Sequence, residues 1–236
     1  MNNIKPNKLR LAAYILSLAS LTLTGCASTR NIEPVNMSPS AVVTITANNR
    51  IKWEAEESSS TLSIFNKDQD DEKESTQPLL KDAENALMIN LKNKGFYVIP
   101  ASYFTGSPSY QNAQDNKELI KNSKMTPLNY KLISAKDKLN ADFSKETGAV
   151  SFIYADYAIH KILTSGSEKK GKITASVLVT VEIYDVKGTL IKKLTGYEKG
   201  DTSIPIVSGA YDEESLAQMY PYLFDATLKA AFNSIK

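Results

Sequence analysis

Ile173-Thr174-Ala175-Ser176-Val177-Leu178-Val179-Thr180-Val181-Glu182-Ile183 is the stretch on which the fold turns. Ile173, Ala175, Val177, Val179, Val181 and Ile183 fall on one face of an extended chain, and Thr174, Ser176, Thr180 and Glu182 on the other. Side chains alternate across a strand, so this pattern predicts a half-buried antiparallel strand with one face on a core. Its neighbours supply a meander. Val150 to Ile162 is apolar on both faces, as a strand inside a sheet is, and Thr164 to Lys172 reads as a polar loop. Asp185-Val186-Lys187-Gly188 turns the chain, and Thr189 to Glu198 returns as the next strand.

Towards the amino terminus, Ala41 to Ala47 is β-branched and stops at Asn48-Asn49, which predicts a strand and turn. Ile51 to Ala55 reads as a short second strand in which Trp53 packs. Leu80, Ala83, Leu87 and Leu91 recur at helical spacing, so Pro78 to Lys94 reads as an amphipathic helix stopped by Gly95. Phe96 to Pro100 follows as a strand. Thr126-Pro127 places an oxygen cap before a first-position proline and predicts a second helix, with Leu132, Ala135, Leu139 and Phe143 as its stripe and Gly148 as its end. After a loop over Ser203 to Gly209, Asp212 to Ile235 reads as helical with a break near Pro221 and a stripe of Phe224, Leu228, Ala231 and Ile235. The expected fold is α+β, an α/β sandwich in the order β-α-β-α-β-β-β-α. A mixed sheet of about five strands carries helices that cover one face. Two long polar loops interrupt it, 56–77 and 101–125; in the second, Tyr103, Phe104 and Tyr110 are expected to pin the loop to its own domain.

Ahead of this single domain, 41–236, stand two segments of another kind. Residues 1–25 join Lys5, Lys8 and Arg10 to an apolar run from Leu11 to Leu23 and a small-residue cut site, the three parts of an export signal. The run is too short to span a bilayer, which takes about 20 apolar residues. Residues 26–40 are a polar tether beginning at Cys26, the sole cysteine, and the fourteen residues after that cysteine reach roughly 45 Å when extended. Cutting off the leader removes three of the 28 basic residues and none of the 26 acidic ones. The remainder is close to neutral and has no electrostatic footprint for nucleic acid. One cysteine allows no disulfide within the chain, so the domain must hold itself by its core.

Candidate chemistry is sparse. Asp68, Asp70 and Glu72 alternate as calcium ligands do, but Lys73 stands where an EF-hand loop needs glycine, so a solvated acidic loop is expected. Gly166 to Lys172 approaches a phosphate-binding loop, yet Ile173 occupies the hydroxyl position and a strand follows, so a hairpin loop is expected. His160, the only histidine, and Asp156 share a strand face about 13 Å apart, too far for a base and its orienting acid. One cysteine and one histidine leave no multi-ligand zinc site. Tyr211, Tyr220, Tyr222 and Phe224 are expected to pack in the core. No catalytic residue, cofactor or metal is expected, and the chain reads as a non-enzyme.

Leu23, Thr24, Gly25 and Cys26 match the lipobox of bacterial lipoprotein precursors, which the chain resembles. That resemblance implies diacylglyceryl transfer to Cys26, cleavage before it and acylation of its amine. Ala27 follows where enterobacterial precursors kept at the inner membrane carry aspartate, so the implied address is the outer membrane, facing the periplasm. Further along, Gly95-Phe96-Tyr97-Val98-Ile99-Pro100, Gly148-Ala149-Val150 and Asp185-Val186-Lys187-Gly188-Thr189, in this element order, resemble a group of periplasmic lipoproteins. Its domain is similar to the amino-terminal domain of TolB, and it includes curli-secretion lipoproteins and activators of penicillin-binding proteins. The resemblance implies a protein-binding or assembly module with an envelope protein partner, compatible with a homo-oligomer, that uses its sheet edge and long loops as contact surfaces. Two alternatives stand beside it. An envelope hydrolase or small-ligand-binding lipoprotein would need a polar pocket built from Asp156, His160, Asp185 or the tyrosines. A component of an oligomeric secretion pore would need loops that alternate like membrane hairpins, and these do not.

Overall fold

The structure, a computed structural model, describes residues 33–54, 75–233 and 235. Leu23, Thr24, Gly25 and Cys26 lie outside the described residues, as do Asp68, Asp70 and Glu72. The fold is α+β around one mixed eight-stranded sheet. Its strands are β1 (Ser40–Asn48), β2 (Lys52–Glu54), β3 (Val98–Ile99), β4 (Lys124–Met125), β5 (Ser151–Ser167), β6 (Lys170–Asp185), β7 (Leu190–Lys199) and β8 (Ile204–Val207). Five of them form the spine in the order β3-β1-β5-β6-β7, and the short β2, β4 and β8 pair onto β5, β1 and β6. β1 runs parallel to β3 and β5, whereas β5, β6 and β7 form the antiparallel meander.

The six apolar residues that alternate along β6 are fully buried. They face α1 (Leu80–Asn93) and α7 (Tyr220–Phe232), whose stripes Leu80, Ala83, Leu87, Leu91 and Phe224, Leu228, Ala231 close the main core. Each Val, Leu, Ile or Phe side chain among them contributes about 1.5–3 kcal/mol by leaving water. α1 ends as its sequence directs. Gly95 takes φ +87°, its N–H reaches the Lys92 carbonyl, and the Phe96 N–H reaches that of Leu91, so two terminal carbonyls are satisfied and Phe96 folds into the core. α7 lies close on β7 because residue 196 is glycine. A Cβ there would collide with the Thr227 carbonyl and stand 2.9 Å from the Ala231 nitrogen.

Helices do not cover one face only, as expected. A second cluster on the opposite face joins Ala41, Val43, Phe152 and Tyr154 to Phe104, Tyr110, Ile133 and Phe143. The cover comes from the segment expected to be a loop over 101–125, which holds α2 (Ala101–Phe104), α3 (Pro108–Asn112) and α4 (Lys117–Lys121). Local chemistry starts two of them: the Ser107 side chain accepts from the Tyr110 N–H, and the Asn116 side chain accepts from Glu118 and Leu119. Helices this short have no apolar period to read. Phe104 and Tyr110 do pin the segment, with the Phe104 ring 5.2 Å from that of Phe143, while Tyr103 is exposed.

The helix expected from Pro127 is absent over its first half. Asn129 and Lys138 take positive φ, and the backbone there bonds outward: the Leu132 N–H to Asp115, the Leu132 carbonyl to the Asn116 N–H, the Lys131 N–H to the Tyr110 hydroxyl. Helix begins only at α5 (Asn140–Thr147), which Gly148 ends as expected. The expected loop 164–172 is strand on both sides of a turn at Glu168-Lys169, polar because the hairpin projects past the core. Within the expected loop 203–209, Ile204 and Ile206 are buried by β8. The break expected near Pro221 is present, though it is not made by the proline itself. It sits in the first turn of α7, where no N–H bond is lost, and the interruption falls before it, between α6 (Glu213–Ala217) and Tyr220. Part of the stretch expected as a tether, 26–40, is folded onto the domain. Pro34–Met37 form a 3-10 turn, Met37 enters the core, and its carbonyl accepts from the hydroxyls of Ser40 and Ser151 at 2.6 Å each.

Candidate functional site

Past the small second cluster, the sheet face opposite α1 and α7 is polar and open. Strand register aligns its side chains in rows. Thr44, Tyr154, Glu182 and Lys193 form one row across β1, β5, β6 and β7, and Thr46, Asp156, Thr180 and Thr195 form the next. A bulge in β1 between Val42 and Thr44 turns both Val43 and Thr44 to this face. The segment Ile133-Ser134-Ala135 and Leu119 of α4 form the wall, enclosing with the rows a cleft of about 280 Å³. That is near the lower bound for small-molecule sites.

Every charge in the cleft is matched. Asp156 accepts from the Thr46 hydroxyl at 2.6 Å and from Lys124 at 2.6 and 2.8 Å. Glu182 accepts from Lys193 at 2.9 Å and from the Tyr184 hydroxyl at 2.7 Å. Burial pulls the Glu182 carboxyl upward, but the Lys193 and Tyr184 hydrogen bonds and the Lys193 charge outweigh it and hold the group below the ordinary carboxylate range. The Tyr154 hydroxyl donates a hydrogen bond to Asn140 Oδ1 at 2.6 Å, and burial drives its phenol upward. Fixed charges and hydroxyls on a rigid sheet suit recognition of a polar ligand.

Of the pocket groups weighed in the sequence, Asp156 is present and the others lie elsewhere. His160 sits four residues further along β5, in the row Lys52, His160, Ser176, Lys199, away from Asp156. Asp185 closes the β6–β7 turn by accepting from the Lys187 and Thr189 N–H groups at 2.8 Å. Tyr220 and Phe224 are core residues, as expected, and stack at 6.4 Å, while Tyr222 is 72% exposed. Tyr154, Glu182 and Lys193 were missed. Their signal was the polar half of the β5 to β7 alternation, legible only once register places three strands side by side.

Two further features stand out. Lys161, 1% exposed, gives a 2.6 Å hydrogen bond to the Tyr211 hydroxyl and lies 4.9 Å from the Trp53 ring centre and 5.0 Å from that of Tyr211. It thereby fastens β2 to the loop before α6. A shallow depression of about 390 Å³ lies between α1 and Pro127-Leu128, where burial raises the Glu84 carboxyl against a 3.2 Å bond from Tyr130 and the charge of Lys81. Among the described residues, no group of three or more His, Cys, Asp or Glu side chains could hold a metal ion. No helix among them is long and apolar enough to cross a membrane.

No protein family model matches the chain, and no curated protein does. Among solved structures, the chain is similar to lipoprotein GNA1162 from Neisseria meningitidis at 12% identity, over 79% of this chain and 94% of that one, with a TM-score of 0.32. It is also similar to a variant of the PelC dodecamer from Paraburkholderia phytofirmans at 14% identity, over 81% of this chain and 87% of that one, with a TM-score of 0.27. The TolB-like group is not among these matches. At such scores the likeness fixes no shared function.

Proposed function

We propose that this chain is a lipid-anchored envelope lipoprotein, held at the outer membrane facing the periplasm, that acts there as a non-catalytic protein-binding or assembly module. The observation that carries the anchor is Leu23-Thr24-Gly25-Cys26 at the end of an export signal. Several acyl chains on one residue make attachment effectively permanent, since each buried methylene contributes about 0.8 kcal/mol. The binding role is supported by the open sheet face, where paired charges and hydroxyls stand in register on strands and offer a preformed polar surface. The cleft also favours a second reading, a small polar ligand bound between Asp156 and Glu182.

Fractionation tests the anchor. The Cys26→Ser chain is expected to leave the membrane fraction and to take up no labelled palmitate; a variant that still pellets and labels refutes it. Crosslinking in intact cells from a photoreactive residue at Thr180 tests the surface. Reproducible capture of one envelope protein supports the module, and capture of none, with a small polar compound co-purifying, favours the second reading.

A further inference from the structure

β7 ends the spine of the sheet, and among the described residues it pairs on one side only, with β6. Ten residues long, it has no strand on its outer side among the described residues, and such an edge is a template for another strand. Its lysines discourage casual pairing, so a partner must answer their charge. Lys192 and Glu198 lie on the face that α7 covers, both half-buried, and neither side chain has an ion pair or hydrogen bond among the described residues.

We propose that this edge pairs with the same edge of a second copy, antiparallel, about a two-fold axis through Thr195. Such an axis keeps each face on its own side, so residues oppose only partners of their own parity. Centring on Thr195 sets Lys192 opposite Glu198 of the other copy, twice, and lays the Lys193 stem along the Tyr197 ring. Other centres do worse. Lys192 or Lys193 as centre opposes identical charges, Gly196 opposes Lys193 to Lys199, and Leu194 sets Glu198 against Leu190. Tyr197 leaves Glu198 opposite Gly196. Of these registers only the Thr195 centre sets Lys192 opposite Glu198, and a preference of that kind is how an edge is made specific.

The helices agree with the strands. α7 packs on both β6 and β7. A helix above that gap stands about one strand spacing, ~4.8 Å, from the two-fold axis, so the two α7 helices come to about 10 Å apart, a normal packing distance. Gly196 holds α7 low enough for this. Asp225 faces α1 through Asn90, and the small residues Ala226 and Ala230 turn away from α1, towards the second copy.

The test uses the full chain, in cells and purified in detergent. Thr195→Cys puts two thiols across the axis and is expected to give a disulfide-linked band of twice the mass without reductant. The wild type and a Val207→Cys chain, exposed elsewhere, are expected to give none. In sedimentation, Glu198→Lys is expected to weaken the dimer about tenfold, and Lys192→Glu with Glu198→Lys to restore it. A chain that stays monomeric, a Thr195→Cys chain that stays uncrosslinked, or a double reversal no tighter than Glu198→Lys overturns the proposal. Loss of the anchor in Cys26→Ser is a separate reading, and its failure leaves this one standing.

Discussion

On the side of α1 and α7, β6 presents Ile173, Val177, Val181 and their neighbours to a continuous apolar core; on the other side the same strand presents Thr180 and Glu182 to a cleft. One face is closed by two long helices with apolar stripes, the other by short helices that cover one end. The difference is a division of labour. The first face supplies the stability that lets the second stay polar, open and rigid, because strands anchored by one face hold the other in fixed register. A cleft built on such strands is preorganised without any helix of its own.

Three substitutions sharpen or break that division. Phe224→Ala empties a fully buried site against Tyr157, whose ring lies at 5.4 Å, and is expected to cost about 3–5 kcal/mol in global unfolding. Denaturant titration checks it, and a loss below 1 kcal/mol would mean that the helical face is not the stabilising one. Next is Gly196→Ala, which forces α7 off β7. A cost of about 1–3 kcal/mol is expected, with faster amide exchange in α7 and in β7 but not in α2 to α5. Smallest is Glu182→Gln. Because the folded Glu182 carboxyl lies below its ordinary value, its contribution is full above the ordinary carboxylate range and is lost as pH falls through the lower, folded value. The wild type should therefore lose more melting temperature than Glu182→Gln between pH 6 and pH 3. Equal losses would mean that the cleft charges do not stiffen the open face.

The helical face was largely legible in the sequence. The alternation of β6, the stripe of α1 with its Gly95 stop and the stripe of α7 are periodic signals, and periodicity reports burial on one side. The opposite face was not. α2, α3 and α4 are started by Ser107, Asn116 and proline, not by apolar repeats, and Thr126-Pro127 imitated a helix start where the backbone instead bonds to Asp115, Asn116 and Tyr110. The cleft is a product of register. Glu182 was visible as the polar side of a strand, but that Tyr154 and Lys193 flank it follows only from the pairing of β5, β6 and β7. Asp156 was weighed against His160 along its own strand, while its partners Thr46 and Lys124 come from β1 and β4.

The docking of Pro34–Met37 on the sheet bears on the anchoring proposed at Cys26. With Cys26 lipidated, only seven residues separate the anchor from the docked turn, a reach of about 23 Å. Met37 is bonded beside Ser40 and Ser151, the first residues of β1 and β5, so the proposed anchor would tie that end of the sheet to the bilayer. β5 runs 17 residues from there, roughly 55 Å, to the turn at Glu168-Lys169. The docked turn and the hairpin tip thus occupy opposite ends of a single strand, so under the proposed anchoring at Cys26 the tip would be the part of the sheet farthest from the bilayer.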